Sequence, residues 1–448
     1  VTDLKRKMAL TALLNGAPNT WRHPQGQAYG DMDLQQMIRN AQIAERGKFH
    51  STFLADFSGV KDDGMGLRGM RKSGSCVGFE PATLLAAIAM ATSDIGLVAT
   101  ISTTYSEPFS VARLIGSLDH ISGGRGGWNL ITSGSRAEAQ NFGHGEQLSS
   151  AERYARAREH VEIVTRLWDS WDDDAFLRDR QSGMFFDPDK GRNIDFHGTH
   201  FSVRGPLNMP RPPQGQPVIC QAGTSDAGYE MAAQWADLMY VKAPTIEIGK
   251  AFYADVKARA RKYGRAPQEL AVLPGLSVVL GGSEEEARAN FSEIVASLEA
   301  EEGLGYLSQW LDGYDLTGLP LDAPVPDIPE INIPAERNRI FLVRNGQRLT
   351  LREAMQYVAT MVGHLTMFGT PDQIATQMIR WVEEEACDGF NLMPHILPGA
   401  VEDFVDHIVP ELQKRGAYHH DYEGHTLREN LGLAHRPSQY QVAALQAS

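Results

Sequence analysis

The 448-residue sequence predicts an α/β protein of the closed (β/α)8 barrel type. Three observations carry that expectation. Eight short apolar or β-branched runs alternate with stretches of helical periodicity. A helical stretch follows the last run, as a closed ring of β/α units needs. The order of motifs shows no crevice at a strand-order reversal, which an open doubly wound sheet would require.

In chain order the runs are Met8–Leu14, Thr52–Ala55, Gly96–Ser102, Gly127–Thr132, Pro217–Gln221, Asp237–Val241, Leu270–Leu280 and Gly389–Met393. Each is too short for a typical helix, and most end at Gly, Asn, Asp, Ser or Pro. Between them, Leu34, Met37, Ile38 and Ala41 share a helical face, as do Val111, Leu114, Ile115 and Leu118. The pattern repeats at Phe291, Ile294, Val295 and Leu298, at Ile374, Met378, Trp381 and Val382, and at Phe404, Val405, Ile408 and Leu412. Ser283 with Glu286, and Thr370 with Gln373, have capping-box spacing, and Pro371 suits a first helical turn.

A bare barrel takes about 250 residues, so much of the chain is elaboration. Residues 1–448 read as one barrel domain with insertions at about 171–216 and 303–350 and an extension from about 416. Trp171–Gln216 carries Asp172-Asp173-Asp174, Asp187-Pro188-Asp189 and Pro210-Arg211-Pro212-Pro213, which predict irregular surface chain. Gly303–Thr350 contains the apolar stretch Ile340–Val343 and a turn at Asn345-Gly346. Insertions of this length serve as lids, binding loops or oligomer contacts. The tail after Gly416 is expected to wrap the surface.

Composition narrows the function. Hydrophobic residues at 42% and charged residues at 22% describe an ordinary soluble protein. A net charge of −14 disfavours nonspecific capture of nucleic acid or anionic membrane. No apolar stretch reaches about 18 residues, and Val1–Lys7 lacks the core of a secretion signal. The cysteines Cys76, Cys220 and Cys387 are too dispersed for a disulfide framework or a metal clip. A reduced, cytoplasmic enzyme is expected.

Barrel chemistry sits where strands run into helices. Asp56 closes the second run and reads either as a turn cap or as an acceptor for a ligand's N–H or O–H. The third run ends Ser102-Thr103-Thr104, whose hydroxyls alternate in direction. Gly123-Gly124-Arg125-Gly126-Gly127 has the wrong spacing for a dinucleotide loop and enters a strand instead of leaving one. Asn129 is unusual inside a strand, and its amide needs partners. The strongest single signal is Gln221-Ala222-Gly223-Thr224-Ser225, a small-residue turn between a strand and a helix. Such a turn aims backbone N–H groups and a positive helix end at one spot, which suits a phosphate; it also reads as a plain turn with Ser225 as the cap. No HExxH motif, Cys/His cluster, GxSxG elbow or P-loop lysine is present, so no metal is expected and no catalytic side chain is assigned. A phosphate-bearing organic cofactor would then carry the difficult chemistry.

Taken in order, Trp21-Arg22-His23-Pro24, Phe53-Leu54-Ala55-Asp56, Phe79-Glu80-Pro81, Leu118-Asp119-His120-Ile121-Ser122-Gly123-Gly124-Arg125, Gly127-Trp128-Asn129, Asn141-Phe142-Gly143, Arg153-Tyr154 and Gln221-Ala222-Gly223-Thr224-Ser225 form a set. With the closing His425–Leu433 segment, it resembles the bacterial-luciferase-like flavin monooxygenases. The branch is that of nitrilotriacetate and EDTA monooxygenases, dibenzothiophene-sulfone monooxygenase and pristinamycin IIA synthase. The likeness runs from about Met8 to Leu433.

The resemblance implies a luciferase-like barrel that takes FMN, as FMNH2, from a separate NAD(P)H:flavin reductase and uses O2 to oxygenate a small organic substrate. It places Asp56 and Thr103 in the flavin site and Asn129 at the isoalloxazine edge. Gly223, Thr224 and Ser225 would hold the phosphate, helped by the Tyr154 hydroxyl. Family members often carry a histidine four residues before that tyrosine, where this chain has Ser150. A homodimer or homotetramer is implied as well. The alternatives are a deazaflavin-dependent oxidoreductase on the same fold, a non-catalytic flavin-binding paralogue and, more remotely, a metal-dependent hydrolase.

Overall fold

Runs of Ala, Val, Ile, Leu and Thr, buried on both faces, give nine parallel strands in one sheet. They are β1 (Ala9–Leu13), β2 (Ser51–Leu54), β3 (Gly96–Ser102), β4 (Gly126–Ile131), β5 (Val218–Ala222), β6 (Leu238–Val241), β7 (Ala271–Leu280), β8 (Leu365–Gly369) and β9 (Gly389–Leu392). These come from a computed structural model that describes residues 7–17, 20–60, 71, 74–223, 225–296, 299–311, 314–327, 342–344, 347–361 and 364–440.

Strands β1 to β7 pair in sequence, β9 pairs with both β7 and β1, and the barrel closes. The eight expected runs are the eight staves. The ninth strand, β8, was not foreseen. It pairs only with the upper half of β7, from Leu365 opposite Leu276 to Gly369 opposite Leu280. β7 is long enough to serve three neighbours, and Pro274-Gly275 marks where it leaves β6 for β9 and β8. Proline has no N–H to give a ladder, so a change of partner there costs little.

Helices of 9 to 19 residues cover the outer face, several with side-chain caps. Ser149 and Glu152 close a capping box at the start of Ser150–Trp168, and Thr370 with Gln373 does the same for Pro371–Glu383. In the glycine-rich run before β4, Gly123 and Gly124 take φ of 69° and 95° to end the helix Pro108–Ser122. Arg125 then donates to the Ala89, Thr92, Ile95 and Ser122 carbonyls, so this run is a structural clamp.

The two elaborations differ from expectation. Trp171–Gln216 is irregular apart from a hairpin, Phe196–His197 with Ser202–Val203, but it is not all surface: Ile194, Phe201, Leu207, Arg211 and Gln214 are buried. His197 and His200 belong to this hairpin, where the His197 ring meets the Ser202 hydroxyl and the His200 N–H meets Glu159. In the second elaboration, Val343–Arg344 pairs with Gln347–Arg348; Ile340, Asn345 and Gly346 lie outside the described residues.

The tail does not simply wrap the surface. Leu427, Leu431 and Leu433 pack with Ala9, Phe53, Val98, Val218, Leu238 and Ala271 and so plug the amino end of the barrel. A Cβ on Gly96 would stand 2.5 Å from Leu427 Cδ1, so the bare strand start makes the plug possible. Arg428 and Arg436 of the tail then meet the buried Asp237 carboxylate at 3.0 and 2.8 Å.

Buried titratable groups tie stability to pH. Burial lowers His160 to about 3 and His395 to about 4. The unfolded chain therefore binds more protons below the ordinary value of 6.5, and stability falls as pH drops through that window. Burial raises Asp119 to about 6 despite hydrogen bonds from Gln214 and Gly126. That group acts in the opposite sense between 3.8 and about 6. Two protons outweigh one, and the net slope is toward instability in acid. Melting temperature is expected to fall from pH 7 to pH 4.5 in differential scanning calorimetry; a rise on acidification would contradict this.

Candidate functional site

The carboxyl ends of the staves form the face where barrels place their chemistry. At the end of β5 the chain passes through Gly223 into the helix Asp226–Trp235. Ser225 caps that helix: its hydroxyl accepts from the Gly228 N–H at 3.1 Å. The same hydroxyl donates to the Tyr154 hydroxyl at 3.1 Å, which joins the turn to the helix Ser150–Trp168. Asp226, in the first helical turn, is paired with Arg259 at 2.7 Å.

Two glycines leave room at this spot. A Cβ on Gly223 would lie 2.5 Å from Gln221 Nε2 and 3.4 Å from the Tyr154 hydroxyl. A Cβ on Gly228 would lie 3.0 Å from that hydroxyl, 3.2 Å from Ser225 Oγ and 3.4 Å from Gln221 Nε2. Three polar side chains and a helix N-terminus thus border one small space. A phosphate fits it chemically: neutral donors converge where the helix dipole is positive. Tyr154, Gly223 and Ser225 are brought together; Thr224 lies outside the described residues. Ser150 is exposed in the first turn of its helix, one turn before Tyr154 and on the same side.

The remaining expected residues stand on neighbouring staves. Asn129, on β4, is 3% exposed. Its Nδ2 donates to Thr100 Oγ1 on β3 at 2.8 Å, and its Oδ1 has no protein partner. Thr103 is fully buried and donates its hydroxyl to the Ile131 carbonyl at 3.1 Å, which leaves only its lone pairs for a ligand. Asp56 is half-buried beyond β2. Desolvation raises its pKa, a hydrogen bond from Phe57 opposes this, and Glu80 and Glu138 add repulsion. Glu138 is buried and accepts from the Ser133 hydroxyl at 2.9 Å.

Sequence reasoning missed Gln221, Gly228 and Glu138 as neighbours of these residues. Of the aromatic candidates for a pocket, Phe109 packs against the core. Tyr105 stacks on Phe142 with ring centres 4.8 Å apart. A separate cavity of about 500 Å³ borders the loop after β6 and strand β8, with Thr245, Arg288, Phe291, Tyr357, His364 and Phe368 in its walls. Its volume is in the range that holds a small organic molecule. Among the described residues no three or more His, Cys, Asp or Glu converge on a metal site, and no helix is long and apolar enough to cross a membrane.

Comparison with known proteins follows from this geometry. The profile described as luciferase-like monooxygenase matches residues 16–386, most of the chain. The chain belongs to the luciferase-like monooxygenase family. It is 42% identical to N-acetyl-S-(2-succino)cysteine monooxygenase of Bacillus subtilis (strain 168), over 98% of this chain and all of that one. It is 44% identical to nitrilotriacetate monooxygenase component A of Aminobacter aminovorans, over 92% and 93% of the two chains. The crystal structure of DmoA from Hyphomicrobium sulfonivorans superposes with a TM-score of 0.87 at 32% identity, covering 95% of this chain and 92% of that one. Like these luciferase-like relatives, the protein is an enzyme, a monooxygenase.

Proposed function

We propose that this luciferase-like enzyme is the oxygenase half of a two-component system. It would bind FMNH2 made by a separate NAD(P)H:flavin reductase and use O2 to oxygenate a small organic substrate next to nitrogen or sulfur. The observation that carries the reading is the space left by Gly223 and Gly228, bordered by Ser225, Tyr154 and Gln221 at a helix N-terminus. The words "component A" in the name of the nitrilotriacetate relative support the two-component arrangement.

When bound, reduced flavin supplies the electrons that activate O2. The chain's own residues hold and orient it. Gly223, Thr224, Ser225 and Tyr154 are assigned to the phosphate, Asp56 and Thr103 to the ring system, and Asn129 to its polar edge, where the unpartnered Oδ1 accepts an N–H. The buried aromatic and apolar surroundings of the barrel mouth exclude water, which protects a reactive oxidant from waste.

The test supplies FMNH2, ¹⁸O2 and a panel of thioethers, tertiary amines and sulfones to the purified protein. One ¹⁸O atom in an organic product is expected. Hydrogen peroxide as the sole oxygen product across the whole panel would count against the assignment.

Ser150 gives a further expectation. A histidine there faces the phosphate one turn before Tyr154 and adds a charge-assisted hydrogen bond when protonated. Ser150→His is expected to tighten FMN binding about tenfold at pH 6 and less at pH 8, a gain of about 1.4 kcal/mol. Fluorescence titration checks this; equal affinities at both pH values would place the phosphate out of reach.

A further inference from the structure

Gln221 is the polar side chain at the seat that the fold does not explain. It lies on β5, 2% exposed, and its Oε1 has no protein partner. Ile219, two residues earlier and therefore on the same face, packs into the hydrophobic core. An apolar residue at 221 would continue that packing, whereas an amide there carries a buried acceptor with nothing to bond, which costs stability. The amide is also the nearest group to the space at Gly223. Its nitrogen end stands 2.5 Å from where a Cβ would be, closer than the Tyr154 hydroxyl at 3.4 Å. An incomplete hydrogen-bond set next to a space kept free by two glycines marks a group that completes its bonding with a ligand.

We propose that Gln221 reads the cofactor's phosphate: its carboxamide N–H donates to a phosphoryl oxygen beside the Ser225 and Tyr154 hydroxyls. This rests on the FMN reading above. A carboxamide suits the position because it donates without adding charge, and its length from β5 lets it reach past Ala222 to the turn. Gln221 is thus a specificity residue for FMN over riboflavin, which shares the ring system and lacks the phosphate.

The test measures dissociation constants for FMN and for riboflavin by flavin fluorescence quenching, in the wild type, Gln221→Met, Gln221→Glu and Gly223→Ala. The wild type is expected to favour FMN at least tenfold. Gln221→Met is expected to lose about tenfold in FMN affinity, and Gln221→Glu about a hundredfold or more, with riboflavin binding unchanged in both. Gly223→Ala leaves the glutamine in place but pushes its amide aside, and is expected to weaken FMN selectively. If both Gln221 variants keep the wild-type FMN-to-riboflavin ratio, Gln221 does not touch the phosphate and the inference falls. An equal loss for both flavins in variants with unchanged melting temperature also overturns it, since Gln221 would then only shape the wall. A wild type that fails to distinguish the two flavins overturns the phosphate seat itself.

Discussion

Asp237→Asn is expected to destabilise the protein by about 3–5 kcal/mol, the usual result of stripping one partner from a buried ion cluster. Asp237 is 1% exposed at the start of β6. It accepts from Arg428 at 3.0 Å, from Arg436 at 2.8 Å and from the Ile219 N–H at 3.0 Å. Arg265 stands 3.9 Å away. Burial alone would raise its pKa, but Arg428, Arg436 and Arg265 outweigh burial and hold the carboxylate well below its usual range. An asparagine keeps the shape but removes the charge, so guanidinium groups remain in the barrel wall with nothing to neutralise them. For a chain of 448 residues the unfolding entropy is large, and this loss corresponds to only about 3–5 °C in melting temperature. Denaturant titration is therefore the better measurement. The tail should also become cleavable, since Arg428 and Arg436 anchor the segment that carries Leu427, Leu431 and Leu433. Combining Asp237→Asn with Arg428→Met should cost less than the sum of the two, because the second change removes a charge that the first left stranded. A loss under about 1 kcal/mol for Asp237→Asn would show that water reaches the cluster and that the plug is held by packing alone.

The staves were legible because parallel strands covered on both faces must be apolar along their length. Met8–Leu14 and Pro217–Gln221 in the sequence correspond to Ala9–Leu13 and Val218–Ala222 in the structure. β8 was not legible, because Leu365–Gly369 is short, alternates buried with half-buried residues and lies between helical stretches. The plug was hidden for a different reason: three leucines in a polar tail gain meaning only from Gly96, which leaves space for Leu427. At the site, the small-residue turn announced Gly223 and Ser225 through backbone chemistry that is local to the sequence. Asn129 stood out because asparagine is rare in strands, and the neighbouring strand supplies Thr100 for its amide. Gln221 gave no local sign. A glutamine at a strand end is usually solvated, and only the helix carrying Tyr154, packed over β5, turns this one into a buried group at a ligand-sized gap.

Ser225→Asp is expected to reduce FMN affinity by about a hundredfold or more while leaving the fold intact and riboflavin binding nearly unchanged. Ser225 has two functions that this substitution separates. As a helix cap it accepts from the Gly228 N–H, and aspartate caps about as well as serine. As a phosphate ligand it must donate a hydrogen bond, which a carboxylate cannot do. The added negative charge would stand at the same place as the hydroxyl that now meets Tyr154 at 3.1 Å. Two like charges about 4 Å apart in a protein-like medium repel by about 4 kcal/mol, more than a hundredfold in binding even after salt has screened part of it. Ser225→Ala is the useful contrast: it removes both functions without adding charge, so it should cost about 1 kcal/mol of stability and about tenfold in FMN affinity. Calorimetry and fluorescence titration together then give opposite rankings. The alanine variant is the less stable protein, and the aspartate variant is the poorer FMN binder. If the aspartate variant binds FMN as the wild type does, the phosphate does not sit at the β5 turn, and the flavin must enter the barrel mouth in another orientation.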